Sequence, residues 1–270
     1  VDARRTPVRR RNGSLAVFGA GRLAAAVLRD LAGRLPDGAT ADEVVLGSSR
    51  PLPGNLARIA ALEAGLGDAV PAVTVDRQCG GGLEYVRLAA ALIGNGDAHV
   101  VLAGGVDSAS ETDGASSVRT GPSPQARFTP PGHPDPPVGE AADALAAALG
   151  ITRADQDSYA ARSYALTRAA RLAGRYDDEL VPVGVPLGGP ITPDSAGPVA
   201  EDDPVRSMDL RALSRLRPAF SPAGTVTAGN ASGIADGAAG VTLVSEPLRA
   251  AHGLPGLRVI GSAVAGSDPA

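Results

Sequence analysis

The chain has 270 residues, enough for one large domain or two medium ones around a sizeable core, and its 44% hydrophobic content is that of a globular protein. A net charge of −4 gives no basic footprint, and 3% aromatics with no Trp give no stacking platform, so nucleic acid is not an expected partner. All 25 basic residues are Arg, which excludes a Schiff-base lysine and a phosphate-binding loop lysine, and leaves anions to Arg, backbone N–H groups and helix termini.

In chain order, Leu23 to Leu31 reads as an amphipathic helix with Leu23, Val27, Leu28 and Leu31 near one face. Glu43 to Gly47 reads as a short strand, and Asn55 to Leu66 as a helix stopped by Gly65 and Gly67. Pro71 to Val75 is β-prone, and Leu83 to Ile93 is helical, with Leu83, Val86 or Arg87, Ala90 and Ile93 predicted on one face and Gly94-Asn95-Gly96 as the stop. Val100 to Ala103 reads as a buried strand ending in glycines, so the pattern is βαβ, a sheet with helices on its faces. From Glu111 to Val138 seven prolines make a long loop. Gly139 to Leu149 and Thr152 to Leu172 are helical, with Thr152 as N-cap and Asp155 at the third position of a capping box. Gly237 to Val244 returns to a buried strand, which makes the first domain discontinuous, and Leu257 to Val264 alternates as a further strand.

Cys79 is the only cysteine. It cannot form an internal disulfide, and a reduced, cytoplasmic compartment is the simplest setting for it. The expected junction places it between a strand and a helix N-terminus, where unpaired N–H groups and the positive end of the helix dipole favour a thiolate. Gly80-Gly81-Gly82 removes Cβ atoms, so a substrate carbonyl can approach backbone donors. A covalent acyl acceptor is built in this way. The bland alternative is a small buried hydrophobe. His99, His133 and His252 have no metal-ligand spacing, and no apolar run reaches membrane length.

Several segments, in order, resemble the thiolase family of acyl-CoA acyltransferases. They are Val1 to Pro7, Arg77-Gln78-Cys79 with Gly82-Leu83, Ala103 to Ser110, Gly150 to Arg153 with Asp155-Gln156-Asp157, Leu216 to Phe220, and Gly224 to Ile234. The resemblance implies an α/β thiolase fold, a mixed five-stranded sheet covered by helices with an inserted, mostly helical loop domain. Its domains would be 1–110 with 219–256 for the N-terminal domain, 111–218 for the loop domain, and 257–270 for the start of a second half that is essentially absent. It implies acyl transfer between thioesters, by Claisen condensation or thiolytic cleavage of a 3-ketoacyl-CoA, through an acyl-Cys79 intermediate. Ser232 matches the family serine at the pantetheine, Ala228 and Phe220 lie along the same arm, and Arg206 is the candidate beside the adenine. Val138 stands in Pro137-Val138-Gly139, where the family often has His-Met-Gly near the acyl pocket. The substrate would be an acyl-CoA or an acyl-carrier thioester, with no permanent cofactor and no metal, in a homodimer or homotetramer.

The family's later histidine segment and second cysteine do not occur, and both ends look cut, so this chain alone is expected to be incomplete for activity. Gly132-His133-Pro134 imitates the histidine segment, but its Pro-rich setting reads as a solvated loop. Two other classes compete. One is a non-catalytic or degenerate acyl-CoA-binding subunit that needs a partner. The other is a dinucleotide-binding oxidoreductase, suggested by Gly19-Ala20-Gly21-Arg22-Leu23-Ala24 between the apolar Leu15 to Phe18 and a helix.

Overall fold

A computed structural model describes residues 2–49, 54–111, 128–184, 198–206 and 208–266. The chain folds into two compact units, Val1–Ser117 with Asp177–Asp203 and Ile234–Ser262, and Val118–Tyr176 with Pro204–Gly233 and Ala263–Ala270.

The first unit is built on one sheet of order β1-β6-β5-β3-β4, with β2 also pairing β6. Its strands are β1 (Ala3–Arg5), β2 (Arg9–Arg10), β3 (Glu43–Gly47), β4 (Ala72–Val75), β5 (Val100–Ser108) and β6 (Ala235–Val244). β3 runs parallel to both β4 and β5, whereas β6 is antiparallel to β5, β1 and β2. The sheet is therefore mixed, with β1 and β2 sharing one edge position. The period-two alternation of side chains sorts the strand residues to two faces. Val44, Leu46 and Leu102 join the core beneath α1 (Ala20–Ala32) and α2 (Leu56–Ala64). Val45, Val101 and Ala103 join a smaller core beneath α3 (Gly81–Asn95).

The helices start and stop for local reasons. Asn55 caps α2 by accepting the N–H of Arg58 at 3.1 Å, and Gly65 ends it in the left-handed conformation. The apolar face of α1 is the expected one, with Leu23, Val27, Leu28 and Leu31 buried. That of α3 is not. Leu83 is 84% exposed, and the buried positions are Gly81, Glu84, Tyr85 and Ala89. The helix begins two residues earlier than its apolar pattern suggests, because Gly81 and Gly82 continue the turn that carries Cys79. Tyr85 then supplies more buried area than Leu83 could.

β5 runs on through Gly104-Gly105 to Ser108 because β6 comes close: a Cβ on Gly104 would meet the Ala239 carbonyl. Leu257 to Val264 forms no strand. Leu257 is fully exposed and Ile260 is 92% exposed. An extended segment becomes a strand only when a neighbour takes its N–H and C=O groups, and no ladder partner lies beside it among the described residues.

In the second unit, α4 (Val138–Leu149) and α5 (Arg153–Leu172) carry α6 (Leu210–Ser214) and the loop 215–233. Thr152 and Asp155 form the expected capping box at the start of α5. Arg153 bridges to Asp157 at 2.8 Å and donates to the carbonyls of Leu213 and Leu216 at 2.6 and 3.1 Å. The division between units falls elsewhere than at 111 and 218. Segment 177–203 stays with the first unit because Arg5 pairs with both Glu179 and Asp202, while 219–233 stays with the second because Asp143 and Asp157 hold it. The final helix, α7 (Glu246–Ala251), follows β6 in the first unit. Residues 112–127 of the expected long loop lie outside the described residues.

Candidate active site

Cys79 sits in a single 3-10 turn, Gln78–Gly80, between the end of β4 and the first residue of α3. Its side chain is free and exposed rather than sealed in the core. The turn is held from both sides. The Asp76 carboxylate accepts the backbone N–H of Gln78 at 2.7 Å and its side-chain amide at 3.0 Å, which keeps Gln78 at φ +46°. On the other side Arg77 pairs at 3.1 Å with Glu84, a nearly buried carboxylate that also accepts from Arg87. Those contacts, with Arg87 foremost, hold the Glu84 carboxyl below the ordinary range.

A cleft of about 340 Å³ opens on this turn. Gly47, Ser48 and Ser49 line it from the end of β3, Gly105 to Asp107 from the end of β5, and Ala235 to Ala239 from β6. These are the carboxyl ends of the parallel strands, where open α/β sheets hold ligands. Tyr85 forms the floor. A Cβ on either Gly47 or Gly81 would collide with its hydroxyl, so those two glycines make room for the ring. Burial first, and then the charges of Asp107 and Asp76, push the Tyr85 phenol up from its usual value.

Two further carboxylates line the cleft. Asp107 accepts from the Ser48 hydroxyl at 2.7 Å, the Ser49 N–H at 3.0 Å and the Ser49 hydroxyl at 2.6 Å. Asp236, fully buried, accepts from the N–H of Ser110 at 2.9 Å and from its hydroxyl. Sequence reasoning names neither the Asp107–Ser48–Ser49 cluster nor Tyr85. The available signal is an acidic residue just beyond a double glycine at a strand end, opposite two serines at the end of the neighbouring strand.

The other candidate residues fall in the second unit. Phe220 lies against Gly139, beside Val138, so that a Cβ on Gly139 would enter the ring. Phe220 also borders a cavity of about 540 Å³ with Glu140, Asp143 and Thr225. Ala228, Ser232 and Arg206 are exposed and lie outside that lining. The loop that carries Ala228 and Ser232 is pinned at several points. Asp143 accepts the N–H groups of Thr225 and Val226 at 2.7 and 2.9 Å. Asn230 donates to the buried Asp157 at 3.0 Å and accepts the Thr227 N–H at 2.7 Å. Tyr164 donates to the Gly229 carbonyl at 3.0 Å.

No histidine is among the described residues that line the cleft. The ring of His99 lies 3.2 Å from the Ser245 hydroxyl, and His133 sits in the irregular segment before α4. Among the described residues no group of His, Cys, Asp and Glu is placed to hold a metal, and no helix is long and apolar enough to cross a membrane.

The dinucleotide alternative is overturned by the local structure at Gly19. Leu15 to Phe18 forms turns rather than the required strand. The N-terminus of α1, where a pyrophosphate would sit, is already occupied: Glu111 accepts the Ala20 N–H at 2.8 Å, and its carboxylate lies over Gly19.

The mixed sheet, the interrupted chain order and a thiol at the foot of α3 together define a thiolase-like domain. The family model described as "Thiolase, N-terminal domain" matches residues 1–247, and the chain belongs to the thiolase family. It is 42% identical over 271 residues to the "Putative acetyl-CoA C-acetyltransferase YhfS" of Bacillus subtilis, covering 100% of this chain and 69% of that one. It is 37% identical over 290 residues to the "Beta-ketoadipyl-CoA thiolase" of Pseudomonas aeruginosa, covering 99% and 71%. The crystal structure of the Bacillus anthracis acetyl-CoA acetyltransferase superposes with a TM-score of 0.81 at 33% identity, over 94% of this chain and 66% of that one. The chain thus spans roughly two thirds of the length of these relatives.

Proposed function

We propose that the protein transfers acyl groups between thioesters, with Cys79 as the nucleophile. The observation that carries this reading is an exposed thiol, fixed at the entrance to α3 and opening on a cleft at the carboxyl ends of parallel strands, in a chain of the thiolase family. In the first step the thiolate of Cys79 attacks the carbonyl carbon of an acyl thioester. The new S–C bond forms as the bond to the carrier sulfur breaks, and the carrier leaves as a thiol. In the second step the α-carbon of another acyl thioester, having lost a proton, attacks the acyl-cysteine and frees Cys79. The reverse sequence cleaves a 3-ketoacyl thioester.

Each tetrahedral intermediate places charge on oxygen, which N–H donors stabilise. The N–H groups of Gly80 and Gly81 are committed to the carbonyls of Arg77 and Gln78, so this reading assigns the first donor to the N–H of Cys79 itself. With no histidine among the described residues on the cleft, the proton acceptor is assigned to a group outside this unit. The carrier is coenzyme A, held along Phe220, Ala228 and Ser232, with Val138 near the acyl end and Arg206 near the adenine; an acyl-carrier thioester is the alternative carrier. No permanent cofactor is required. In this reading the first unit corresponds to the family's N-terminal domain, the second to its loop domain, and 257–270 to the opening of the second half. The assembly is a homodimer or homotetramer in the cytoplasm.

The test is intact-mass and peptide mass spectrometry after incubation with acetyl-CoA. One acyl adduct on the Cys79 peptide, absent from Cys79→Ser, is the expected result. No adduct at any acyl-CoA concentration would leave an acyl-CoA-binding subunit in its place.

A further inference from the structure

The charge around Cys79 is one-sided. Of the groups lining its cleft, Asp107, Asp236 and Arg5 carry charge at neutral pH. Arg5 does not offset the two carboxylates. Its guanidinium is turned to Asp202, with contacts of 2.7 and 3.0 Å, and to Glu179 at 2.7 Å, and neither partner lines the cleft. The oxygens of Asp107 and Asp236 that receive the N–H groups of Ser49 and Ser110 act as acceptors, which suits ionised carboxylates. The cleft holds about 340 Å³, so any group seated in it with Cys79 lies within several ångströms of Asp107.

We propose that Asp107, supported by Asp236, is a specificity-determining residue that makes the Cys79 cleft accept neutral acyl groups and reject acyl groups ending in a carboxylate. The proposal rests on the acyl-transfer reading for its meaning as substrate choice, but the charge selection itself is a property of the cleft. A second carboxylate entering this site meets two like charges, the lining guanidinium is already engaged by Asp202 and Glu179, and part of the newcomer's hydration is lost. At an effective dielectric between that of a protein surface and water, such repulsion slows entry by about tenfold. The phosphates of coenzyme A do not enter this balance, since they belong to the far end of the pantetheine arm. Ser48 and Ser49 hold the Asp107 carboxylate in place, so the charge is fixed rather than free to swing aside.

The experiment compares two alkylating agents that differ only in charge, neutral iodoacetamide and anionic iodoacetate, on the full chain. Each rate at Cys79 is divided by the rate of the same agent with free N-acetylcysteine. This ratio cancels the state of the thiol, because one thiol meets both agents. The expected preference for iodoacetamide is about tenfold beyond that of the reference thiol. Asp107→Asn is expected to remove about half of that preference on a logarithmic scale, and Asp236→Asn a further part. A wild-type ratio equal to that of N-acetylcysteine overturns the proposal. So does a preference that Asp107→Asn leaves untouched in a variant whose thermal transition is preserved. If Asp107→Asn fails to fold, the wild-type ratio and Asp236→Asn still decide. Failure of acetyl-CoA to acylate Cys79, together with a strong iodoacetamide preference, would count against the acyl-transfer reading alone. Acylation by butyryl-CoA and succinyl-CoA at equal rates would count against the charge selection alone.

Discussion

Thr6 is fully buried at the bend between β1 and β2, and its hydroxyl joins two backbone groups. It accepts the N–H of Ala238 at 2.9 Å and donates to the Pro7 carbonyl at 2.9 Å. Ala238 belongs to β6 and lines the Cys79 cleft, so one hydroxyl ties the sheet edge to the cleft wall. Thr6→Val keeps the shape and removes the hydroxyl. The Ala238 N–H is then buried without a partner, which costs about 1–3 kcal/mol, and the Pro7 carbonyl loses its donor as well. A net loss near 2 kcal/mol is expected, a fall of about 4–8 °C in the transition of a unit this size. Thr6→Ser is the control. It keeps both hydrogen bonds and loses one methyl, about 1 kcal/mol. Urea titration and differential scanning calorimetry should rank wild type above Thr6→Ser above Thr6→Val. A Thr6→Val protein as stable as Thr6→Ser would refute the role given to the hydroxyl.

Gly104→Ala should cost about 1–3 kcal/mol in urea titration, because the new Cβ meets the Ala239 carbonyl and the Gly240 backbone, which cannot move without parting β5 from β6; an unchanged midpoint would show that the two strands can separate freely. Asp143 should make the second unit acid-sensitive. The N–H groups of Val226, then Thr225, hold its carboxyl below the usual range. The unfolded chain therefore binds the proton more readily. The stabilisation is present above the ordinary aspartate value of about 3.9 and is lost as pH falls below it through the depressed folded value. Asp143→Asn should flatten that part of the stability–pH curve, and an unaltered slope would refute the assignment. Cys79→Ser should abolish acyl adducts while leaving the thermal transition in place, since the side chain is exposed; a lowered transition would mean that the sulfur packs into the fold.

Much of this arrangement is legible in the sequence wherever the cause is local. The Asn55 cap, the Thr152–Asp155 capping box, the glycine stops and the β3 apolar run each depend on a few neighbouring residues, and each forms as expected. Cys79 at a strand-to-helix turn is of the same kind. Contacts made across the fold are less visible. Leu83 reads as a core residue because periodicity ignores what faces the helix, and the Tyr85 ring takes the core position through space left by Gly47 and Gly81. Leu257 to Val264 alternates like a strand, yet alternation alone supplies no hydrogen-bonding neighbour. Asp107 meets Ser48 and Ser49 only because β3 and β5 run side by side, a register that the intervening 58 or 59 positions do not disclose. The Gly19 fingerprint misleads for a related reason: Glu111, far along the chain, already fills the place of the anion it would bind.

The left-handed backbone at Gln78 has a consequence for anyone improving this protein. A side chain in that conformation costs about 1 kcal/mol that glycine would not incur, and Asn would bear it more easily. A library selected for heat resistance alone should therefore enrich Gly or Asn at position 78. Such winners would be sturdier proteins with a looser grip on their one sulfur, so durability and chemistry pull in opposite directions at a single peptide unit.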